Sequence, residues 1–157
     1  MSQPLILTSF DRMRFMVVDD DRTLIELVEA MLLMASVGGV VKATSCLAAI
    51  NILADRTKKV DCIICDQGMP TMSGLEFLKE IRAGRHAHIP RDLCFIMLTA
   101  HGDEAVVRGA LGLDVNGYVR KPVTKDSLVK AIHRAFNRTI ALKPPEEYAA
   151  VVLPPNT

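Results

Sequence analysis

The chain alternates short apolar runs with stretches in which apolar residues recur every three or four positions. In one such stretch Leu24, Val28 and Met31 share a face, which is typical of an amphipathic helix. The sequence from Ser73 to Glu76 is a capping box, and Thr124 is a second candidate N-cap, so both mark helix starts. The pattern predicts five helices, and five strands at residues 14–18, 40–46, 60–65, 94–98 and 117–120.

Strands that alternate with helices predict βαβ units and a mostly parallel sheet covered on both faces. We expect an N-terminal arm over residues 1–12, one folded domain over 13–138, and a tail over 139–157. Four of the eight prolines lie in the last 17 residues, which favours an extended, flexible tail. The apolar segment 148–153 docks on a partner or on the protein's own edge, or it is a disordered end; the composition favours disorder.

Composition excludes several classes of function. The 157 residues carry 19 basic and 18 acidic side chains, and this balance disfavours a protein whose main partner is the nucleic-acid backbone. No Trp and few other aromatic residues are present, which disfavours base stacking. The uncharged stretch 30–41 is shorter than the about 20 residues that a spanning helix needs. Four cysteines without an export signal indicate a reducing, cytoplasmic setting.

Polar side chains gather where the predicted strands end. Asp19, Asp20 and Asp21 follow the first strand, and further polar residues follow the third, fourth and fifth: Asp66, Thr99 and Lys121. Ligands of doubly wound sheets bind outside the carboxyl ends of the strands. An acidic turn on its own is as well explained by a helix N-cap, but four matched strand ends are not. Converging carboxylates favour a hard cation such as Mg²⁺, and together with a lysine and a hydroxyl they predict phosphoryl transfer to a carboxylate nucleophile.

Five segments resemble the motifs of response-regulator receiver domains, and they occur in the family's order. The resemblance covers about residues 13–138 and implies a chemotaxis-regulator-like, stand-alone receiver with a flavodoxin-like α/β fold. It also implies a five-stranded parallel sheet of strand order 2-1-3-4-5 with five helices. The segments are VVDDD (17–21), IICDQGMP (63–70), SGLEFL (73–78), IMLTA (96–100) and YVRKP (118–122).

The resemblance implies a role for each strand-end carboxylate. Asp66 resembles the phosphoacceptor. Asp19 and Asp20 resemble the metal-binding acidic pair, with Asp20 as the more direct ligand. Gly68 is expected to offer its backbone carbonyl to the same Mg²⁺ or Mn²⁺, which needs no side chain.

The resemblance also implies a switch. Thr99 resembles the hydroxyl that moves to the phosphoryl group, and Lys121 resembles the lysine that pairs with it. Tyr118 matches the aromatic residue whose ring turns inward on activation. The peptide bond between Lys121 and Pro122 is cis in this family.

Three positions around the pocket vary among receivers and tune the phosphoryl lifetime. They are Gln67, Gly68 and His101 in this chain. Because Gly68 leaves space for water, we expect an open pocket and fairly rapid self-hydrolysis.

A receiver of this kind is a phosphorylated signalling protein that catalyses only its own phosphorylation and dephosphorylation. The expected partners are a histidine kinase or phosphotransfer protein and a downstream target protein, with a homodimer as a further option. Helix 4, strand 5 and helix 5 would form the face for the target. Residues 139–157 are too few for a DNA-binding domain, and neither nucleic acid nor membrane is expected as a partner.

Three alternatives remain. A haloacid-dehalogenase-type phosphatase would use Asp19 and Asp21, but its later acidic pair is missing and Asp66 would have no role. A pseudo-receiver would act as a binding module without phosphorylation, which the intact acidic site disfavours. Cys62 and Cys65 have a metal-like spacing, but within a strand they would point to opposite faces and are better explained as buried apolar residues.

Overall fold

A computed structural model describes residues 10–100 and 104–155. It forms five strands and six helices in strict alternation up to the fifth helix. The strands are β1 (Arg14–Val18), β2 (Gly39–Ala43), β3 (Cys62–Asp66), β4 (Cys94–Thr99) and β5 (Gly117–Arg120). The helices are α1 (Arg22–Met34), α2 (Cys46–Leu53), α3 (Gly74–Arg82), α4 (Glu104–Gly112), α5 (Lys125–Phe136) and α6 (Pro145–Ala149).

The five strands form one parallel sheet in the order β2-β1-β3-β4-β5. This confirms the predicted fold class and strand order. The register pairs Val18 with Cys65, Asp66 with Leu98, and Thr99 with Arg120. The carboxyl ends of β1, β3, β4 and β5 therefore meet at one edge of the sheet, which brings the strand-end polar residues together.

Helices cover the sheet on both faces, and each face has its own apolar cluster. One cluster joins the sheet to α1 and α5 and includes Cys62 with Cys94; the other joins it to α2, α3 and α4 and includes Cys65 with Cys46. The four cysteines are buried and free. Cys62 and Cys65 thus lie on opposite faces, as their strand spacing predicts, and do not form a shared metal or redox site.

Local signals at the helix starts are largely confirmed. Ser73 and Glu76 form the predicted capping box, and Thr124 caps α5. The second strand is shorter than predicted, because Ala43 already pairs with the last residue of β1, and Ser45 caps α2 by accepting from the Ala48 amide. Within the described residues, the structure contains no helix that is long and apolar enough to span a membrane.

Both predicted terminal segments differ from the structure where it describes them. Phe10 is buried and accepts from the Gly38 amide through its carbonyl, so the folded domain begins before residue 13. The prediction of an extended tail is wrong for Pro145–Ala149, which forms α6 and packs on α3. Tyr148, fully buried, supplies the apolar contact that holds this short helix in place. Residues 1–9 lie outside the described part of the chain.

Candidate phosphoryl-transfer site

The site lies at the carboxyl edge of the sheet, between the ends of β1, β3 and β5. Oxygen atoms of Asp19, Asp20 and Asp66 lie within 4.8 Å of one another. Asp19 and Asp66 are buried, whereas Asp20 is exposed. The three carboxylates therefore form a cluster that opens to solvent on the side of Asp20.

Lys121 is the cation that faces this cluster. Its Nζ atom lies 2.7 Å from Asp66 Oδ1 and 3.7 Å from Asp19 Oδ2. Burial alone would lower the pKa of Lys121, but the hydrogen bond and charge of Asp66, together with Asp19, outweigh it and raise the pKa. The lysine is therefore a fixed positive charge beside the Asp66 carboxylate. The Lys121–Pro122 peptide bond is cis, as the resemblance implied.

One carboxylate oxygen of Asp19 accepts a hydrogen bond, and the other accepts none within the described part of the chain. Its Oδ1 accepts from the Asp21 amide at 2.9 Å, whereas the buried Oδ2 has no hydrogen-bond partner among the described residues. Burial raises the pKa of Asp19 to about 6, against the lowering effect of the Asp21 amide. The nearest cation to Oδ2 is Lys121 Nζ at 3.7 Å, which is too long for a hydrogen bond. A buried carboxylate oxygen that accepts no hydrogen bond costs free energy, so Oδ2 is available to a further ligand.

Asp21 does not share this position. Its side chain accepts from the amides of Thr23 and Leu24 and caps α1. The N-cap interpretation of the acidic turn is therefore right for Asp21, while Asp19 and Asp20 face the site.

The connection after β3 is held from two sides. The Gln67 side-chain oxygen accepts from the Leu75 amide at 2.8 Å, so the amide group points to the start of α3. At Gly74 a Cβ atom would lie 2.7 Å from the Asp66 carbonyl oxygen, so only glycine fits there. Neither contact follows from a motif; the glycine after the capping Ser73 is the one local signal that marks the close approach.

Gly68, two residues after Asp66, borders open space. A Cβ atom placed on this residue would meet nothing within 4 Å. Gln67 turns away from the pocket, and His101 lies outside the described residues. The predicted role of these three residues in the phosphoryl lifetime stays a prediction.

The two predicted switch residues lie on neighbouring strands. Thr99 is buried at the end of β4, and its carbonyl accepts from the Lys121 amide at 2.8 Å. Tyr118 on β5 is 44% exposed and lines a surface cleft with Leu111 and Arg134. In this structure the Tyr118 ring is therefore turned outward.

Comparison with known proteins identifies relatives over most of the chain. The family model described as "Response regulator receiver domain" matches residues 15–133. A chemotaxis protein CheY homolog of Campylobacter jejuni is 34% identical over 116 residues, covering 74% of this chain and 86% of that protein. Chemotaxis protein CheY-3 of Vibrio cholerae is 30% identical over 127 residues, covering 80% and 93%. The crystal structure of a response regulator receiver domain protein from Clostridium thermocellum has a TM-score of 0.67 at 30% identity, covering 80% and 94%.

Proposed function

The chain belongs to the response regulator receiver family, and on that premise we propose that Asp66 is the phosphoacceptor of this response regulator of two-component signalling. The observation that carries this assignment is the placement of one carboxylate. Asp66 lies 2.7 Å from Lys121 and beside the buried Asp19 Oδ2, which accepts no hydrogen bond from the described residues. A carboxylate in this position combines a nucleophile with charges that stabilise an incoming phosphoryl group.

The acidic cluster fits Mg²⁺, or Mn²⁺ in its place. These ions take oxygen ligands and are commonly held by one or two carboxylates plus waters and phosphate oxygens. Asp20 and Asp66, with the Gly68 carbonyl, would hold the ion directly, and Asp19 would assist through its open Oδ2. When bound, the ion supplies a positive charge that neutralises the oxygens of the transferred group.

The chemical step follows from the positions of the side chains. A carboxylate oxygen of Asp66 attacks phosphorus in line, so that an O–P bond forms as the P–N bond of the donor phosphohistidine breaks. The leaving imidazole nitrogen keeps the electron pair of that bond. Lys121 pairs with one new phosphoryl oxygen, and the Thr99 hydroxyl donates to another.

The switch is proposed to run from Thr99 to Tyr118. When the Thr99 hydroxyl moves to the phosphoryl group, the ring of Tyr118 follows into the space that it leaves. This changes the surface formed by α4, β5 and α5, to which Tyr118 and Leu111 contribute exposed side chains. We assign the target protein to this face, and the donor, a histidine kinase or phosphotransfer protein, to the open side of the pocket.

Three further observations bear on the assignment. A receiver turns over only its own phosphoryl group, and the open space at Gly68 favours fast hydrolysis of that group by water. Four free cysteines fit a reducing, cytoplasmic setting. The phosphatase alternative loses support, because Asp21, which it needs as an acid, is engaged as the helix cap.

Phosphorylation by acetyl phosphate in the presence of Mg²⁺ tests the assignment. We expect intact-protein mass spectrometry to detect one phosphoryl group on the wild type and none on Asp66→Asn. Asp126→Asn, which removes an exposed carboxylate on α5, is the matched control and should be phosphorylated like the wild type. Turnover of an aryl phosphate that persists in Asp66→Asn and disappears in Asp19→Asn would instead support the phosphatase.

A further inference from the structure

The segment after α5 returns across the molecule and lies on α3 and α4. We call residues 143–153, which include α6, the C-terminal strap. Tyr148 is fully buried in the apolar cluster beneath α3 and α4, and Val151 and Leu153 pack on the same cluster. The strap is therefore part of the folded core, although it lies beyond the region that the family model matches.

Polar contacts fix the strap at three places. Lys79 on α3 donates to the Val151 carbonyl at 2.7 Å. The Tyr148 hydroxyl donates to Asp114, just after α4, at 2.6 Å. Arg91, between α3 and β4, donates to the Lys143 carbonyl. These anchors tie the strap to both of the helices that it crosses.

The contact with α4 is made through glycines. A Cβ atom on Gly109 would lie 3.4 Å from Leu153 Cδ2 and 3.2 Å from Leu75 Cδ1 of α3. A Cβ atom on Gly112 would lie 3.6 Å from Val151 Cγ1. Each glycine in a helix interior costs about 1 kcal/mol relative to alanine, and here the apolar side chains of the strap fill the space that the glycines leave.

The contact between the strap and α4 is made through glycines on the side of the helix, and it is incompletely packed near residues 151–154. Glycines offer no side chains that interlock with the strap, so on the side of α4 only the contacts of Val151 and Leu153 have to be broken for the end of the strap to separate. A surface cleft of about 250 Å³ lies between α4 and residues 151–154, lined by Ala105, Arg108 and Gly109 on the helix. The end of the strap is thus the part that separates most easily.

We propose that the C-terminal strap is an intramolecular restraint on α4, and that its release is coupled to phosphorylation. The inference rests on the proposed role of Asp66. α4 follows β4 in the chain, and β4 ends at Thr99 in the site, so a switch that starts at Thr99 reaches α4 next. Any shift of α4 relative to α3 breaks the contacts of Val151 and Leu153 with the two helices. Because coupling is reciprocal, phosphorylation loosens the strap, and loosening the strap favours phosphorylation.

Substitutions at neighbouring positions of the strap separate this restraint from a merely structural role. The variant Val151→Ser with Leu153→Ser weakens the contact with α4, whereas Val152→Ser changes a side chain that is 90% exposed and serves as the matched control. We expect the double variant to bind beryllofluoride in the presence of Mg²⁺ about fivefold more tightly than the wild type, at the lower end of typical couplings, and the control to match the wild type. Lys79→Met removes an anchor without changing the core and should act in the same direction, which covers the case in which the double variant unfolds.

Hydrogen exchange of the wild type gives the second readout. On addition of beryllofluoride and Mg²⁺, amides of residues 145–153 should exchange faster. Equal beryllofluoride affinities in all the strap variants, with unchanged exchange in 145–153, would overturn the restraint and leave the role of Asp66 intact. If the wild type itself is not phosphorylated at Asp66, the proposed function fails, and the coupling fails with it.

Discussion

Among the described residues three charged side chains are buried, Asp19, Asp66 and Arg82, and two of them, Asp19 and Arg82, differ sharply in their hydrogen bonding. Asp19 lies at the carboxyl edge of the sheet, and Arg82 lies at the end of α3 under the strap; they are 1% and 0% exposed. One carboxylate oxygen of Asp19 has no hydrogen-bond partner among the described residues. The guanidinium of Arg82 has an acceptor for each of its three nitrogens. These acceptors are the carbonyls of Arg91, Leu93, Leu113 and Asp114 and the side-chain oxygen of Asn116.

The difference shows what each charge is for. Arg82 joins α3 to the segments before β4 and before β5, and burial lowers the pKa of its guanidinium without any carboxylate in its hydrogen-bonding set. Such a saturated group contributes to the fold alone. Asp19 Oδ2 is buried without a hydrogen bond from the described residues, which costs free energy that a bound cation would offset.

The largest expected effect on stability is at Arg82, whose guanidinium is fully hydrogen-bonded. Arg82→Ala removes five hydrogen bonds, three of them buried, and should lower the free energy of unfolding by about 3–5 kcal/mol even though Asn116 Oδ1 keeps the Phe95 amide as a donor. Urea unfolding followed by circular dichroism measures this loss. Arg85→Ala, which removes an exposed arginine from the following turn, should change the free energy by less than about 0.5 kcal/mol. A similar small loss in both variants would show that the network around Arg82 is not needed for stability.

Asp19 predicts a smaller effect on the free energy of unfolding, and this effect depends on pH. The pKa of Asp19 in the folded protein, about 6, lies above its ordinary value of 3.8. Between these values the folded protein binds more protons than the unfolded chain, so without metal the stability falls as the pH rises from about 4 to 6. The expected loss is roughly 2 kcal/mol, and urea unfolding in a chelating buffer across this range measures it.

Two controls link that loss to Asp19. Asp19→Asn cannot ionise, so its stability should change less over the same pH range than that of the wild type. Mg²⁺ favours the ionised carboxylates and should restore much of the stability of the wild type near neutral pH. A wild-type profile that is flat between pH 4 and 6 would mean that Lys121 or water already stabilises the ionised Asp19 carboxylate without metal.

The sequence predicts the site better than the strap, because the site obeys a local rule. Asp19, Asp66 and Lys121 each follow an apolar strand directly, so strand topology alone brings them together. Tyr148 carries no such signal, since its helix has five residues, begins at a proline and is held by contacts distant in sequence. The acceptors of Arg82 likewise come from segments 9 to 34 residues away, which no local pattern reveals.

Side-chain direction is the other part that the sequence does not predict. Gln67 occupies the position expected beside the pocket, yet its amide turns to the Leu75 amide. A free backbone N–H at the start of α3 and the pocket both offer the amide a partner, and only the three-dimensional structure shows which one it takes. The residue type thus fixes the available chemistry, while the packing decides where it is used.

The smallest expected effect on stability is at Gly68. A substitution there tests whether the space beside this residue is also open in solution. A methyl group there meets nothing within 4 Å, so Gly68→Ala should change the free energy of unfolding by less than about 0.5 kcal/mol. Gly74→Ala is the contrasting variant, because its methyl group would lie 2.7 Å from the Asp66 carbonyl oxygen and must displace backbone. Urea unfolding of both variants measures the difference. A loss above about 1 kcal/mol in Gly68→Ala would show that the space beside Gly68 is filled in the protein in solution.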